Sequence, residues 1–244
     1  MIILVAVIYP IQASWKWGGG FLNDMGFQDF TSSTFVHSVS GWAALTGAIF
    51  FSLRLGEYKG GKVNPMPGSN LALATLGIFI LWLSWFGFNS CSQLYMDTSG
   101  SVADISSIFS NTNTVPAAGA VAALTLTPSL IQSTMIGTVS GIIVVFAMPM
   151  LDRMKIDYVV DAISVHLFAG IWGTLAVYFT NSAATFSVQL TSTLIVGAFV
   201  TVTTAFVWLV LKATAGLRVS EEVEIMSLGR NRLGMEAYPA FSGS

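Results

Sequence analysis

An all-α, multi-pass membrane helix bundle is the fold class this sequence predicts, and three observations predict it. Of 244 residues, 54% are hydrophobic and only 9% charged, with a mean hydropathy of +0.73, far outside the usual range of a soluble domain. Uncharged apolar runs recur at the length, about 20 residues, that takes a helix across a hydrocarbon core of about 30 Å. Inside two of those runs stand the chain's two histidines, His37 and His166. An ionisable residue in hydrocarbon is costly, so its default reading is a functional site facing the protein interior.

The elements follow from the runs. Residues 1–12 are apolar but too few to span, and Trp15, Lys16, Trp17 and the Gly18-Gly19-Gly20 turn follow at once as an interfacial belt. The chain therefore reads as opening in mid-helix. Six spans are expected at residues 31–53, 71–93, 105–126, 129–151, 161–180 and 190–211. A very short connection, Thr125-Leu126-Thr127-Pro128-Ser129, joins the third to the fourth, and Pro128 permits a turn there. Beyond Lys212 the composition turns polar through Glu221, Glu222, Glu224, Arg230 and Arg232. Residues 1–213 thus form one transmembrane domain and 214–244 a cytoplasmic tail.

Composition also excludes function classes. Ten Lys and Arg against twelve Asp and Glu give a net charge of −2, so no basic face exists for nucleic acid. The lone Cys91 has no partner for an internal disulfide and reads as a packed thiol. No nucleophile or ligand cluster supports an enzyme or a cofactor, and two histidines without a nearby Cys or Glu fall short of a metal-ligand set.

The basic residues test the topology, because short loops rich in Lys and Arg stay cytoplasmic. Arg54, Lys59 and Lys62 follow the first span, Arg153 and Lys155 the fourth, and Lys212, Arg218, Arg230 and Arg232 the sixth. Three spans separate the first cluster from the second, which would put them on opposite sides. The conflict disappears if residues 105–151 have lost a span or contain a re-entrant segment.

The two histidine segments share a frame, each with glycine four residues on, Gly41 and Gly170, where small residues let helices approach closely. Stretches around them resemble the ammonium transporter (Amt/Mep/Rh) family: Trp17-Gly18-Gly19-Gly20 with Asp29-Phe30, Val36-His37 to Gly47, Asn64 to Leu71, Trp85-Phe86-Gly87-Phe88-Asn89, Asn111-Thr112-Asn113, Leu151-Asp152-Arg153 to His166, and Gly216 to Glu222 with Gly234 to Pro239. They cover almost the whole chain in order.

The resemblance implies an ammonium-transporter fold of eleven helices in two inverted repeats plus a last helix, assembled as a homotrimer in the cell membrane with a pore in each subunit. On that map the present spans match the fifth, sixth, seventh, ninth, tenth and eleventh helices, with residues 1–12 ending the fourth. The absent eighth helix falls where charge parity fails, beside Pro128. The implied function is transport of ammonium or ammonia. His37 and His166 are implied as paired pore imidazoles, Phe88 as a gate, Trp17 and Ser92 as the cation recruitment site supported by Asp29, and Trp85, Asn89 and Asp161 as supporting residues. Asp161, five residues before His166, is expected to take in the second repeat the place of Asp29, eight residues before His37. The tail is implied to dock cytoplasmic loops and to receive a regulator, although Leu233 stands where the family usually has a histidine.

The chemistry suits these residue types. Dehydrating ammonium into an apolar pore is prohibitive, whereas neutral ammonia crosses at little electrostatic cost. An aromatic face beside a hydroxyl attracts the cation, and a neutral imidazole takes its proton near physiological pH. Trp85, Phe88 and Ser92, at i, i+3 and i+7, could share one helix face. Plainer readings stay open: Trp17 as a belt residue, Phe88 and Trp85 as packing, Asp29 as a helix N-cap. A second functional reading is a truncated, non-transporting fragment or an interaction subunit of full-length relatives.

Overall fold

The computed structural model describes residues 2–60, 62–64, 70–117, 128–158 and 161–226. Helices dominate because each apolar run must satisfy its backbone internally to lie in lipid. The chain opens with α1 (Leu4–Ser14) and the short α2 (Phe21–Asp24), then runs through α3 (Ser33–Phe51), α4 (Leu71–Cys91), α5 (Ser99–Ala117), α6 (Leu130–Arg153), α7 (Ile163–Thr180), α8 (Phe186–Thr214) and α9 (Glu221–Met226). Five of these, α3, α4, α6, α7 and α8, are long and apolar enough to cross a membrane. A two-residue antiparallel ladder, β1 (Tyr58–Lys59) with β2 (Lys62–Val63), closes around Gly60 in the loop after α3.

Helix starts are set by side chains that accept otherwise orphaned backbone N–H groups. Asn70 accepts from Leu73 N–H at 2.9 Å to begin α4. At α6, Ser129 and Gln132 form a reciprocal capping box directly after Pro128, which fixes the expected start of the fourth span. Thr98 and Ser101 bond each other's backbone N–H groups, so α5 begins six residues before the expected 105. Its expected continuation through 126, and with it the loss of a span beside Pro128, falls on residues 118–127, outside the described residues.

The buried core lies where α3, α7 and α8 meet. Leu22, Phe27, Phe35, Val39, Val196 and Val200 form one cluster, and Leu151, Ile163 and Leu167 another. Close approach depends on glycine: a Cβ on Gly41 would stand 2.5 Å from Leu167 Cβ, and one on Gly197 would stand 2.7 Å from the Trp42 ring. By contrast α4 packs chiefly on α5 and buries no residue.

The ends of the bundle resolve the charge-parity conflict. Arg54, just past α3, pairs with Asp157, just past α6, at 2.7 Å, and Leu55 N–H donates to Glu224 of α9 at 3.0 Å. The described members of the three basic clusters thus gather at one end, as the positive-inside bias requires. The Asp157 carboxyl, although burial raises it, is held below its usual range by the Arg54 guanidinium.

Candidate functional site

The two histidines come together. His37 on α3 and His166 on α7 meet edge to edge, with Nδ1 atoms 3.0 Å apart, ring centroids 5.2 Å apart and ring planes parallel to within 3°. A hydrogen bond of this kind needs one Nδ1 protonated and the other free, so the pair carries at most one extra proton while it lasts.

The approach to each histidine is built the same way. Ser32 has φ 70° and Asp161 has φ 54°, each five residues ahead of its histidine, and each carbonyl accepts the N–H four residues on, Val36 and Val165. Both helices then open with a π-helical stretch, Ser33–Ser38 and Ile163–Phe168. Wide turns of this kind are frequent at functional sites, and a third opens α1 at Leu4–Ile8. The helices cross through glycine. The Gly41 position meets Leu167, the residue after His166, and the Gly170 position meets Ser38, the residue after His37. This corrects the expected correspondence of Asp161 with Asp29, because the residue that matches Asp161 in backbone and spacing is Ser32.

Asp29 caps α3. Its Oδ2 accepts Thr34 N–H at 3.1 Å and Phe35 N–H at 2.9 Å, and it is 4% exposed. Burial pushes its carboxyl up to about 6, against these backbone donors. It also lines an open cavity of about 830 Å³ shared with Lys16, Trp17, Phe88 and Ser92. Trp17 is 47% exposed there, and the Phe88 ring stands edge-on 6.4 Å from that of His37. Burial lowers Lys16, whose ammonium donates to Asn23 Oδ1 at 3.0 Å.

Two expected members stand elsewhere. Trp85 is half-buried and not among the cavity's lining residues, since Gly87, Phe88, Cys91 and Ser92 form the face of α4 that turns to it. Asn89 instead reaches α5, donating to Thr112 Oγ1 at 3.0 Å.

A buried polar network escaped the sequence reading. Gln189, fully buried at the start of α8, donates to the carbonyls of Gln28 and Thr174 and accepts Gln28 N–H. Thr34 and Thr174 bond at 2.7 Å between the two histidine helices. The one available signal was a lone amide in an apolar run, the kind of residue that joins membrane helices.

The family profile described as Ammonium Transporter Family matches residues 1–129 and 120–238. The chain belongs to the ammonium transporter family. It is 34% identical to the ammonium transporter Amt2 of Archaeoglobus fulgidus, covering 98% of the chain and 63% of that relative, and 33% identical to the ammonium transporter of Aquifex aeolicus, covering 95% and 62%. Among solved structures, one titled Sensor Amt Protein superposes with a TM-score of 0.87 at 29% identity, over 96% of the chain and 68% of that structure. Candida albicans Mep2, 23% identical with a TM-score of 0.76, shares the fold.

The chain is thus a multi-pass membrane protein of the ammonium-transporter fold that spans under two thirds of the length of those two relatives. Its match to the family profile is split into two pieces that overlap at 120–129, a stretch that includes Pro128. The 299 aligned positions with the Archaeoglobus relative exceed the chain's 244 residues, so that relative carries internal residues with no counterpart here.

Proposed function

We propose that this chain conducts ammonium or ammonia across a membrane along the His37–His166 pair. The observation that carries the reading is the 3.0 Å contact between two imidazoles on apolar helices. Family membership supplies the substrate class. A conduit with a shared imidazole hydrogen bond suits uptake of a proton from ammonium and passage of neutral ammonia.

On this reading the cavity holding Trp17, Ser92 and Asp29 recruits the cation. The indole face and the Ser92 hydroxyl replace part of its water shell, and Asp29 holds the start of α3 while adding negative potential. Phe88, between cavity and His37, gates the passage. Asn89 supports it by tying α4 to α5, and Asp161 by setting the turn into the second histidine helix. Trp85 acts at most through the packing of α4. Residues 1–213 are the conducting domain and 214–244 the cytoplasmic tail, whose Glu224 seats on the loop after α3. Assembly as a homotrimer and a regulator at the tail extend the family reading.

Uptake of methylammonium by cells lacking their own ammonium transporters tests this proposal. Expression of the chain should restore uptake, and His37→Ala should reduce it by about 100-fold or more, the scale of losing a positioned acid–base group. Absence of uptake from well-expressed, folded protein would favour a non-transporting role.

A further inference from the structure

Away from the pore, a second cavity of about 400 Å³ lies at the basic end of the bundle, between the β1–β2 hairpin and the end of α6. Its walls carry Lys62, Arg153 and Lys155 together with Asp152. Among the described residues, the cations engaged in ion pairs are Arg54 and Arg218, so these three are free of acidic partners. Asp152 offsets one charge of three. Three mutually repelling cations around one hollow leave an unmet demand for an anion.

The end of α6 places two of these cations. Lys155, left-handed at φ 54°, is the C′ residue of a Schellman cap, in which its N–H donates to the Asp152 carbonyl at 3.0 Å and the Ile156 N–H to the Leu151 carbonyl at 3.1 Å. The cap ends the helix at Met154 and leaves Arg153 and Lys155 on either side of its last turn.

The surface leading to the cavity is apolar. Phe146, Met150 and Met154 are 71%, 40% and 62% exposed, and their i, i+4, i+8 spacing puts them in one row along α6. Pro149 and Arg153, in the adjacent row, line the cavity itself. A cationic hollow at the end of an exposed apolar row matches the two-part chemistry of a phospholipid, headgroup in the hollow and acyl chain along α6. The positive-inside bias puts this end at the cytoplasmic leaflet, where basic pockets between helices take anionic headgroups.

We infer that the hollow between the β1–β2 hairpin and the end of α6 binds a phosphate-bearing anion through Lys62, Arg153 and Lys155, with an anionic lipid headgroup as the source that the α6 row favours. Bound there, the phosphate would tie the loop after α3 to the end of α6, next to the Arg54–Asp157 pair. The site stands independently of the pore reading.

Native mass spectrometry of the full chain tests the inference, with the protein released from nanodiscs of phosphatidylcholine containing a minor fraction of phosphatidylglycerol. The chain should retain phosphatidylglycerol in preference to phosphatidylcholine. The K62Q/R153Q/K155Q variant should lose that preference, by about 100-fold if each cation is worth roughly fivefold. A second arm measures the shift in melting temperature on adding inorganic phosphate to protein in phosphatidylcholine alone. A shift in the wild type that the triple variant lacks assigns the site to free phosphate, and no shift assigns it to lipid. Lys155→Arg, which keeps the charge, should retain binding and so separates charge from misfolding. Equal phosphatidylglycerol retention by wild type and a folded triple variant, with no phosphate effect, would overturn the site.

Discussion

The two histidine helices, Ser33–Phe51 and Ile163–Thr180, use one backbone device and stabilise its start differently. Both enter through a left-handed residue five positions before the histidine, open with a π-helical stretch and cross at a glycine four positions after it. In the first, the buried Asp29 carboxylate holds the N-terminal N–H groups. In the second, the described contact at the corresponding place is the main-chain carbonyl of Asp161. Imidazole placement therefore rests on shared backbone geometry, while the polar support is particular to each half.

The crossing is where that comparison breaks most easily. A Cβ at Gly41 would meet Leu167 N and Cα at 2.6 Å, and one at Gly170 would meet the Ser33 carbonyl at 2.8 Å. These neighbours are backbone and have little room to give. Gly41→Ala and Gly170→Ala should each cost more than about 3 kcal/mol, read as loss of melting temperature in detergent. Gly77→Ala, with nothing within 4 Å of the new Cβ, should be close to neutral.

The next test separates the halves by pH. Because the Asp29 carboxyl is pushed up to about 6 from 3.8 in the folded chain, the folded state holds that proton more tightly than the unfolded state. The stabilising effect is full below about pH 4 and is lost as pH rises through about 6, with a ceiling of about 3 kcal/mol. Asp29→Asn should flatten the melting profile between pH 4 and 6.

A smaller effect, about 2 kcal/mol, is expected for Asp29→Ala, which leaves two buried N–H groups without their acceptor. Smaller still is Asp161→Gly. Relief of the left-handed conformation should stabilise the fold by about 1 kcal/mol, in thermal melts run beside Ser32→Gly, for which the same gain is expected.

These contrasts also explain what was legible in the sequence. The spans were legible because hydropathy over 20 residues is a strong signal, and His37 and His166 because charge is rare in hydrocarbon. Charge parity made the common end of the basic clusters legible. Asp157 and Glu224 were not read as their partners, because acidic residues contribute little to the positive-inside bias. The π-helical entries lack a sequence signature. Gln189 and Thr174 were hidden because a membrane helix can carry such residues without interrupting an apolar run. The pairing of Asp161 with Asp29 failed because residue type was matched where backbone position decides. That Trp17 and Ser92, 75 positions apart, line one cavity was expected from the family resemblance and not from periodicity.

The central claim is that His37 and His166 work as one proton-handling unit, and a double-mutant comparison of methylammonium uptake tests it most directly. Rates are measured for His37→Ala, His166→Ala and the double variant at matched expression. Groups that act as a unit are strongly non-additive, so each single variant should already fall to the rate of the double. Single variants that keep most of the uptake, with losses that multiply in the double, would contradict it.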